Sequence, residues 1–299
     1  MKPIKQNRQQ AFQKDRENRG RLLITCPDQP GIVAAVSQFL SSHRANIIES
    51  SQYSTNPEGG VFFIRIEFEC PDLESKRELL QASFDDIAQN FSMDWKLFFV
   101  KELKRAAIFV SKELHCLREL LLEWESGDLM ADIPLVISNH PDAKDFVESF
   151  GVPFVHIPAN KNNRQEAEQQ QLRLLEEYDI DVIILARYMQ ILTSGFVEAY
   201  AEKIINIHHS FLPAFVGAKP YDRAFERGVK IIGATSHYVT NDLDEGPIIE
   251  QDVKRVNHRD QVEDLKKNGK IIERSVLVRA VKWHIDDRII VHENKTIVF

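Results

Sequence analysis

The stretch from Asp181 to Pro213, DVIILARYMQILTSGFVEAYAEKIINIHHSFLP, decides the fold of the larger part of the chain. It holds two apolar runs, DVIILARY and KIINIHH, each passing into polar residues at its end. A strand with one wet face alternates apolar and polar residues, whereas a strand covered on both faces reads as a continuous apolar run. Runs of the covered kind recur upstream as RAAIFVS, IPLVISN and PFVHIP. Between them lie the helical patterns CLRELLLEWESG, HPDAKDFVESFG and NNRQEAEQQQLRLLEEYD, the first closed by Gly127. Apolar strands alternating with helices predict a doubly wound, mostly parallel sheet from residue 105 to residue 299. Ligands of such sheets bind outside the carboxyl ends of the strands. SNH, LARYM, NIHHS and HYVTND all fall at such ends, so their residues are expected to meet in one cleft. A helix over Gln261 to Val281 and a hairpin, IIVHENKTIVF, are expected to close the chain.

Residues 21–104 read differently. RLLITC is a strand, PDQPG a turn, and IVAAVSQFLSSH a helix with Ile32, Val36, Phe39 and Leu40 at helical spacing. ANIIESSQYS reads as extended, NPEGG as a hairpin turn, and VFFIRIEFEC as an antiparallel strand with one wet face. A second amphipathic helix, PDLESKRELLQASFDDIAQN, and a last strand, MDWKLFFV, follow. The order β-α-β-β-α-β predicts a ferredoxin-like α+β sheet with two helices on one side. Residues 1–20 are polar throughout and are expected to form a disordered tail, with no hydrophobic core for a secretory signal.

Composition narrows the function classes. The 299 residues suit about two domains, and a net charge of −7 argues against a nucleic-acid binder. No run approaches the about 18 apolar residues of a membrane span. The three cysteines, Cys26, Cys70 and Cys116, are widely spaced and odd in number. They form neither a metal pattern nor a disulfide framework, which points to a reducing compartment and a cytoplasmic location.

The chemistry lies at the strand ends. Asn206 and His208 are two residues apart on an expected strand, so both face one space. Asn206 has an amide to hold an oxyanion, and His208 an imidazole to carry a proton. His209 is expected to point the other way and lend support. Asp242, ending the next strand region, adds a carboxylate. Taken singly, Asn206 reads as a turn cap, His208 as a structural imidazole and Asp242 as a turn residue. Together they suit attack on a carbonyl. His208 and His209 are adjacent and Asp242 distant, which is no convincing metal spacing, so no metal or other cofactor is expected.

Two resemblances sharpen this. DQPGIVAAVSQFL followed by Asn46 resembles an ACT domain, a regulatory module that often binds amino acids across a dimer interface. The resemblance implies an effector site at Asp28, Gly31 and Asn46 and a homodimer or homotetramer. NIHHSFLPAFVGAKPY followed by GATSHYVTNDLDEGPIIEQ resembles the formyltransferases that use 10-formyltetrahydrofolate. It implies catalytic positions at Asn206, His208 and Asp242. LARYMQILTSGFV resembles their folate loop, which implies folate contacts near Arg187, Met189, Leu192, Thr240 and Asp244. Glycinamide ribonucleotide formyltransferases carry a Gly-rich phosphate loop after the first catalytic strand, where this chain reads FVSKELHCLREL without glycine. The fused ACT-like module and this loop resemble the members that pass the formyl group to water. Expected, then, is hydrolysis of 10-formyltetrahydrofolate to formate and tetrahydrofolate. The alternatives are transfer to an amine acceptor and a non-catalytic folate and amino-acid sensor.

Overall fold

The computed structural model describes residues 2–160, 162–214 and 220–299. The part of the formyltransferase-like stretch at residues 215–219 lies outside them. The chain divides into two compact units. The first spans Met1–Leu103 with Asp287–Ile290 and Val298–Phe299; the second spans Lys104–Asp286 with Val291–Ile297.

In the first unit the elements are α1 (Lys2–Asp15), β1 (Arg19–Pro27), α2 (Ile32–Ser42), β2 (Asn46–Ser54), β3 (Val61–Glu69), α3 (Arg77–Phe91) and β4 (Asp94–Phe99). The strands form an antiparallel sheet in the order β2-β3-β1-β4, the ferredoxin-like arrangement. Leu22, Ile24, Ile64, Ile66 and Phe68 meet Val36 and Leu40 of α2 and Leu80 and Phe84 of α3 in one core. Two expectations are corrected here. The segment expected to be a disordered tail is helical, built of Gln, Lys and Arg with favourable helix propensity. β3 has no wet face: Arg65 and Glu67 are buried and mutually paired at 3.3 Å. Arg21 bonds Glu67 at 3.1 Å and Asp287 at 3.2 Å, so charges brought out of water find partners. β2, at the sheet edge, is exposed along nearly its whole length.

The second unit contains β5 (Arg105–Val110), α4 (His115–Ser126), β6 (Asp132–Ser138), α5 (Lys144–Ser149), β7 (Phe154–His156), α6 (Arg164–Glu177), β8 (Val182–Ala186) and α7 (Ser194–Ala199). It continues with β9 (Ile204–His208), α8 (Pro220–Arg227), β10 (Ile231–Tyr238), β11 (Ile248–Arg255), α9 (Val262–Ile285), β12 (Ile289–His292) and β13 (Lys295–Val298), part of β12 and β13 belonging to the first unit. The large sheet runs β11-β10-β9-β8-β5-β6-β7. β5 to β9 are parallel, and β10 pairs antiparallel with both β9 and β11. Ala107, Phe109, Ile183 and Leu185 are buried on one face, against Leu175 of α6 and Phe196 of α7. The carboxyl ends of β5, β6, β8 and β9 therefore open onto the same edge, where SKEL, SNH, LARYM and HHS begin.

α9 starts with a capping box between Gln261 and Asp264, which satisfies free N–H groups of its first turn. Gly269 sits inside this helix, where glycine costs about 1 kcal/mol relative to alanine. The cause is spatial: a Cβ on Gly269 would lie 1.9 Å from the Tyr221 hydroxyl oxygen. We expect Gly269→Ala to lower stability by about 1–3 kcal/mol through overpacking. In a Tyr221→Ala background the same change should become stabilising, as chemical denaturation of the four proteins of the cycle would show.

Candidate active site

β9 and β10 set the geometry. Their antiparallel register places Asn206 opposite His237 and His208 opposite Thr235. The Asn206 side-chain nitrogen lies 3.2 Å from His237 Nε2. His237 Nδ1 lies 2.9 Å from the Tyr238 carbonyl oxygen, which only accepts, so Nδ1 carries the hydrogen. In the neutral ring Nε2 is then the acceptor for the Asn206 amide. That amide keeps a second N–H for another partner.

The chain beyond β10 folds back over these groups. A Cβ on Gly246 would lie 1.9 Å from the Tyr238 carbonyl oxygen, so only glycine lets the return pass this close. Tyr238 N–H bonds the Pro247 carbonyl at 2.9 Å. Just before this contact Asp244 adopts φ 59°, a left-handed conformation that Asp tolerates better than most residues. Its carboxylate Oδ1 lies 3.3 Å from His208 Nδ1 and 3.7 Å from His237 Nε2. Asp242, expected to be the carboxylate of this group, is exposed. Its backbone carbonyl accepts bonds from the Thr240 hydroxyl at 3.1 Å and from Glu245 N–H at 3.3 Å, which makes it a turn residue. The structure thus brings together Asn206, His208, His237 and Asp244, and leaves Asp242 outside.

His208 is buried, and among the described residues its Nε2 atom has no hydrogen-bond partner. With Nδ1 at Asp244, this second nitrogen is the one available to a reactant. The hydrogen bond from His208, then the nearby His237 ring, hold the Asp244 carboxyl well below the ordinary carboxylate range, against the opposing effect of burial. His209 does not point away as strand alternation predicts, because β9 ends at His208. Its ring lies 5.1 Å from that of His208 and 6.2 Å from that of Tyr221. Burial, then the Arg187 charge, lower its pKa to about 4, so it is neutral at physiological pH.

The LARYM loop is anchored at both ends. Met189 N–H donates to Ser111 Oγ at 3.0 Å, and Ser111 Oγ–H donates to Asn139 Oδ1 at 2.6 Å. Thr193 donates its N–H, at 2.9 Å, and its hydroxyl to the buried Glu168 of α6. Met189 is exposed and Leu192 packs against the core. Arg187 turns its side chain to Glu273, 3.4 Å away. Among the described residues, His115, Cys116 and Glu273 are the one group with metal-ligand spacing, their atoms within 4.8 Å. Glu273 already faces a guanidinium and burial pushes the Cys116 thiol up, so this donor set suits the protein's own cation better than a metal ion.

In the first unit, Gly31 caps α2 at φ 99°, and Asp28 accepts a hydrogen bond from Ser54. Asn46 begins β2 and Ser54 ends it, which separates them by about 26 Å at the usual rise per residue. Within one chain Asn46 therefore does not meet Asp28 and Gly31.

Residues 104–281 match the formyl transferase family model, and residues 20–85 match the ACT domain. The chain is 64% identical over 299 residues to the formyltetrahydrofolate deformylase of Bacillus subtilis (strain 168), covering 100% of both. It belongs to the formyltetrahydrofolate deformylase family. A crystal structure of a formyltetrahydrofolate deformylase from Pseudomonas syringae pv. tomato str. DC3000 matches with a TM-score of 0.89 at 49% identity, over 94% of each chain. Glycinamide ribonucleotide transformylase 1 from Symbiobacterium toebii matches with a TM-score of 0.62 at 29% identity, over 66% of this chain and 94% of its own. The ACT match thus falls within the first unit of this deformylase-family chain, and the formyl transferase match within the second.

His237 was not anticipated as a site residue, although it opens the quoted HYVTND; the signal was its register opposite Asn206. The depressed Asp244 pKa gives a stability prediction. A carboxyl lowered in the folded state stabilises fully above its ordinary value of 3.8 and loses that contribution as the pH falls below it. Asp244→Asn should therefore be less stable than the wild type at neutral pH, by on the order of 1–3 kcal/mol. The gap should narrow below the ordinary carboxyl value, as urea melts across the acid range would show.

Proposed function

We propose that the chain hydrolyses 10-formyltetrahydrofolate to formate and tetrahydrofolate, as the name of its relatives describes. The observation that carries this reading is the convergence of Asn206, His208 and Asp244, with a buried His208 nitrogen left for a reactant, in a chain 64% identical to a deformylase. The His208–Asp244 pair takes a proton from water as the water oxygen bonds to the formyl carbon. The free N–H of Asn206 and the His208 imidazolium hold the oxyanion. The bond from carbon to N10 then breaks, N10 receives the proton, and formate leaves. Asp244 takes the role expected of Asp242, and His237 orients the Asn206 amide. No added cofactor enters these steps.

Folate is proposed to lie along the backbone near Arg187, Met189 and Leu192 and across Thr240 to Asp244. The exposed apolar side chains of Met189, Ile191 and Leu243 on these two loops suit a flat ring. Formate released here would feed purine synthesis and adjust the one-carbon pool. For the ACT domain we propose an amino-acid effector at Asp28 and Gly31, with Asn46 supplied by a second copy of the chain. The exposed edge strand β2 supports a dimer or larger homo-oligomer, since an uncovered edge is a template for pairing. Three buried, unpaired cysteines support a reducing, cytoplasmic setting.

Formate release from 10-formyltetrahydrofolate with no acceptor added is the test. Asn206→Ala, His208→Ala and Asp244→Ala should each lose about 10²-fold or more in turnover. Asp242→Ala should keep near-normal turnover. Loss of activity in Asp242→Ala with retention in Asp244→Ala would reverse the carboxylate assignment.

A further inference from the structure

Next to the His208 imidazole lies a second polar group that the proposed reaction does not use. Its centre is Glu273, only 1% exposed in the interior of α9. Glu273 Oε2 accepts a hydrogen bond from His115 Nε2 at 2.8 Å and faces Arg187 Nε at 3.4 Å. Glu273 Oε1 accepts one from the Tyr221 hydroxyl at 2.7 Å. These side chains come from four separate places: the start of α4, the end of β8, α8 and α9. His209 joins the group to the reaction centre, its ring between those of His208 and Tyr221.

The chain accepts unfavourable local structure to build this group. Arg187 stands at φ 63°, a left-handed conformation that a long side chain rarely adopts. Gly269 takes a place inside a helix, where glycine costs stability, so that the Tyr221 hydroxyl can approach. A carboxylate is taken fully out of water, although well-packed apolar residues would serve a purely structural cross-link as well. Strain and buried charge gathered at the carboxyl edge of a parallel sheet point to a role at the ligand site.

That role follows from what hydrolysis has to exclude. A glycinamide ribonucleotide transformylase shares the fold of this unit, so the fold alone does not select water as the acceptor. Side chains beside the reacting carbon must do so. We infer that Glu273, Arg187, His115 and Tyr221, together with His209, form an acceptor filter. They occupy the approach beside His208 that a nucleophile larger than water would need, so that the formyl carbon meets only water. This rests on reading the chain as a hydrolase.

The test is the partition of product in the presence of excess glycinamide, a small primary amine. In transfer, the amine nitrogen bonds to the formyl carbon, the bond to N10 breaks, and the proton lost by the amine goes to N10. The wild type should give formate and no more than a trace of N-formylglycinamide. The Tyr221→Ala/Glu273→Ala variant opens the approach, and its ratio of N-formylglycinamide to formate should rise roughly tenfold or more. Tyr221→Ala alone should shift the ratio in the same direction. Tyr221→Phe, which removes only a hydroxyl, should leave it unchanged. An unaltered ratio in both alanine variants would overturn the filter. So would loss of turnover in both, with circular dichroism and melting showing a folded protein, because a filter is not needed for hydrolysis. A wild type that releases no formate would instead defeat the hydrolase reading, and the same assay separates the two failures.

Discussion

The contact between the Asp244 carboxylate and the His208 imidazole is the interaction on which the site depends. It joins a loop to a strand end and selects which nitrogen of His208 faces inward. The register of β9 and β10 adds Asn206 and His237 to the same point. Removing the carboxylate would leave two imidazoles and an amide without the charge that orients them.

Much of the surrounding structure serves to bring that carboxylate inward. Gly246 lets the returning chain touch the Tyr238 carbonyl, and the left-handed turn at Asp244 then directs its side chain toward His208. On the next flank, Arg187 is likewise left-handed and Gly269 makes room for Tyr221. Conformations that cost stability are thus found beside the candidate site, while the strands beneath carry ordinary apolar packing. A scaffold of this kind tolerates local strain because the sheet over-determines the positions of its strand ends.

The sequence disclosed the two folds because each has a clear periodicity. The continuous apolar runs of β5, β8 and β9 fix a covered parallel sheet, and the β-α-β-β-α-β order fixes the first unit. Asn206 and His208 were legible from strand alternation. Asp242 and Asp244 were not separable, because the stretch TNDLDEG offers two carboxylates and only the turn geometry distinguishes them. Glu273 lay hidden within an amphipathic pattern, although a charge on the stripe shared with Gly269 and Val276 is a signal of a buried partner. Arg65 and Glu67 read as a wet face because alternation cannot tell water from a buried guanidinium–carboxylate pair. The N-terminal helix was missed because its polarity outweighed its helix propensity.

In the proposed reaction water, activated at the His208–Asp244 pair, attacks the formyl carbon. A turnover of 10-formyltetrahydrofolate in oxygen-18-labelled water, followed by mass spectrometry of the formate, tests it most directly. The wild type should give formate carrying one solvent oxygen, with the rate of label appearance collapsing in Asp244→Asn. Unlabelled formate from the wild type, or undiminished labelling by Asp244→Asn, would contradict it.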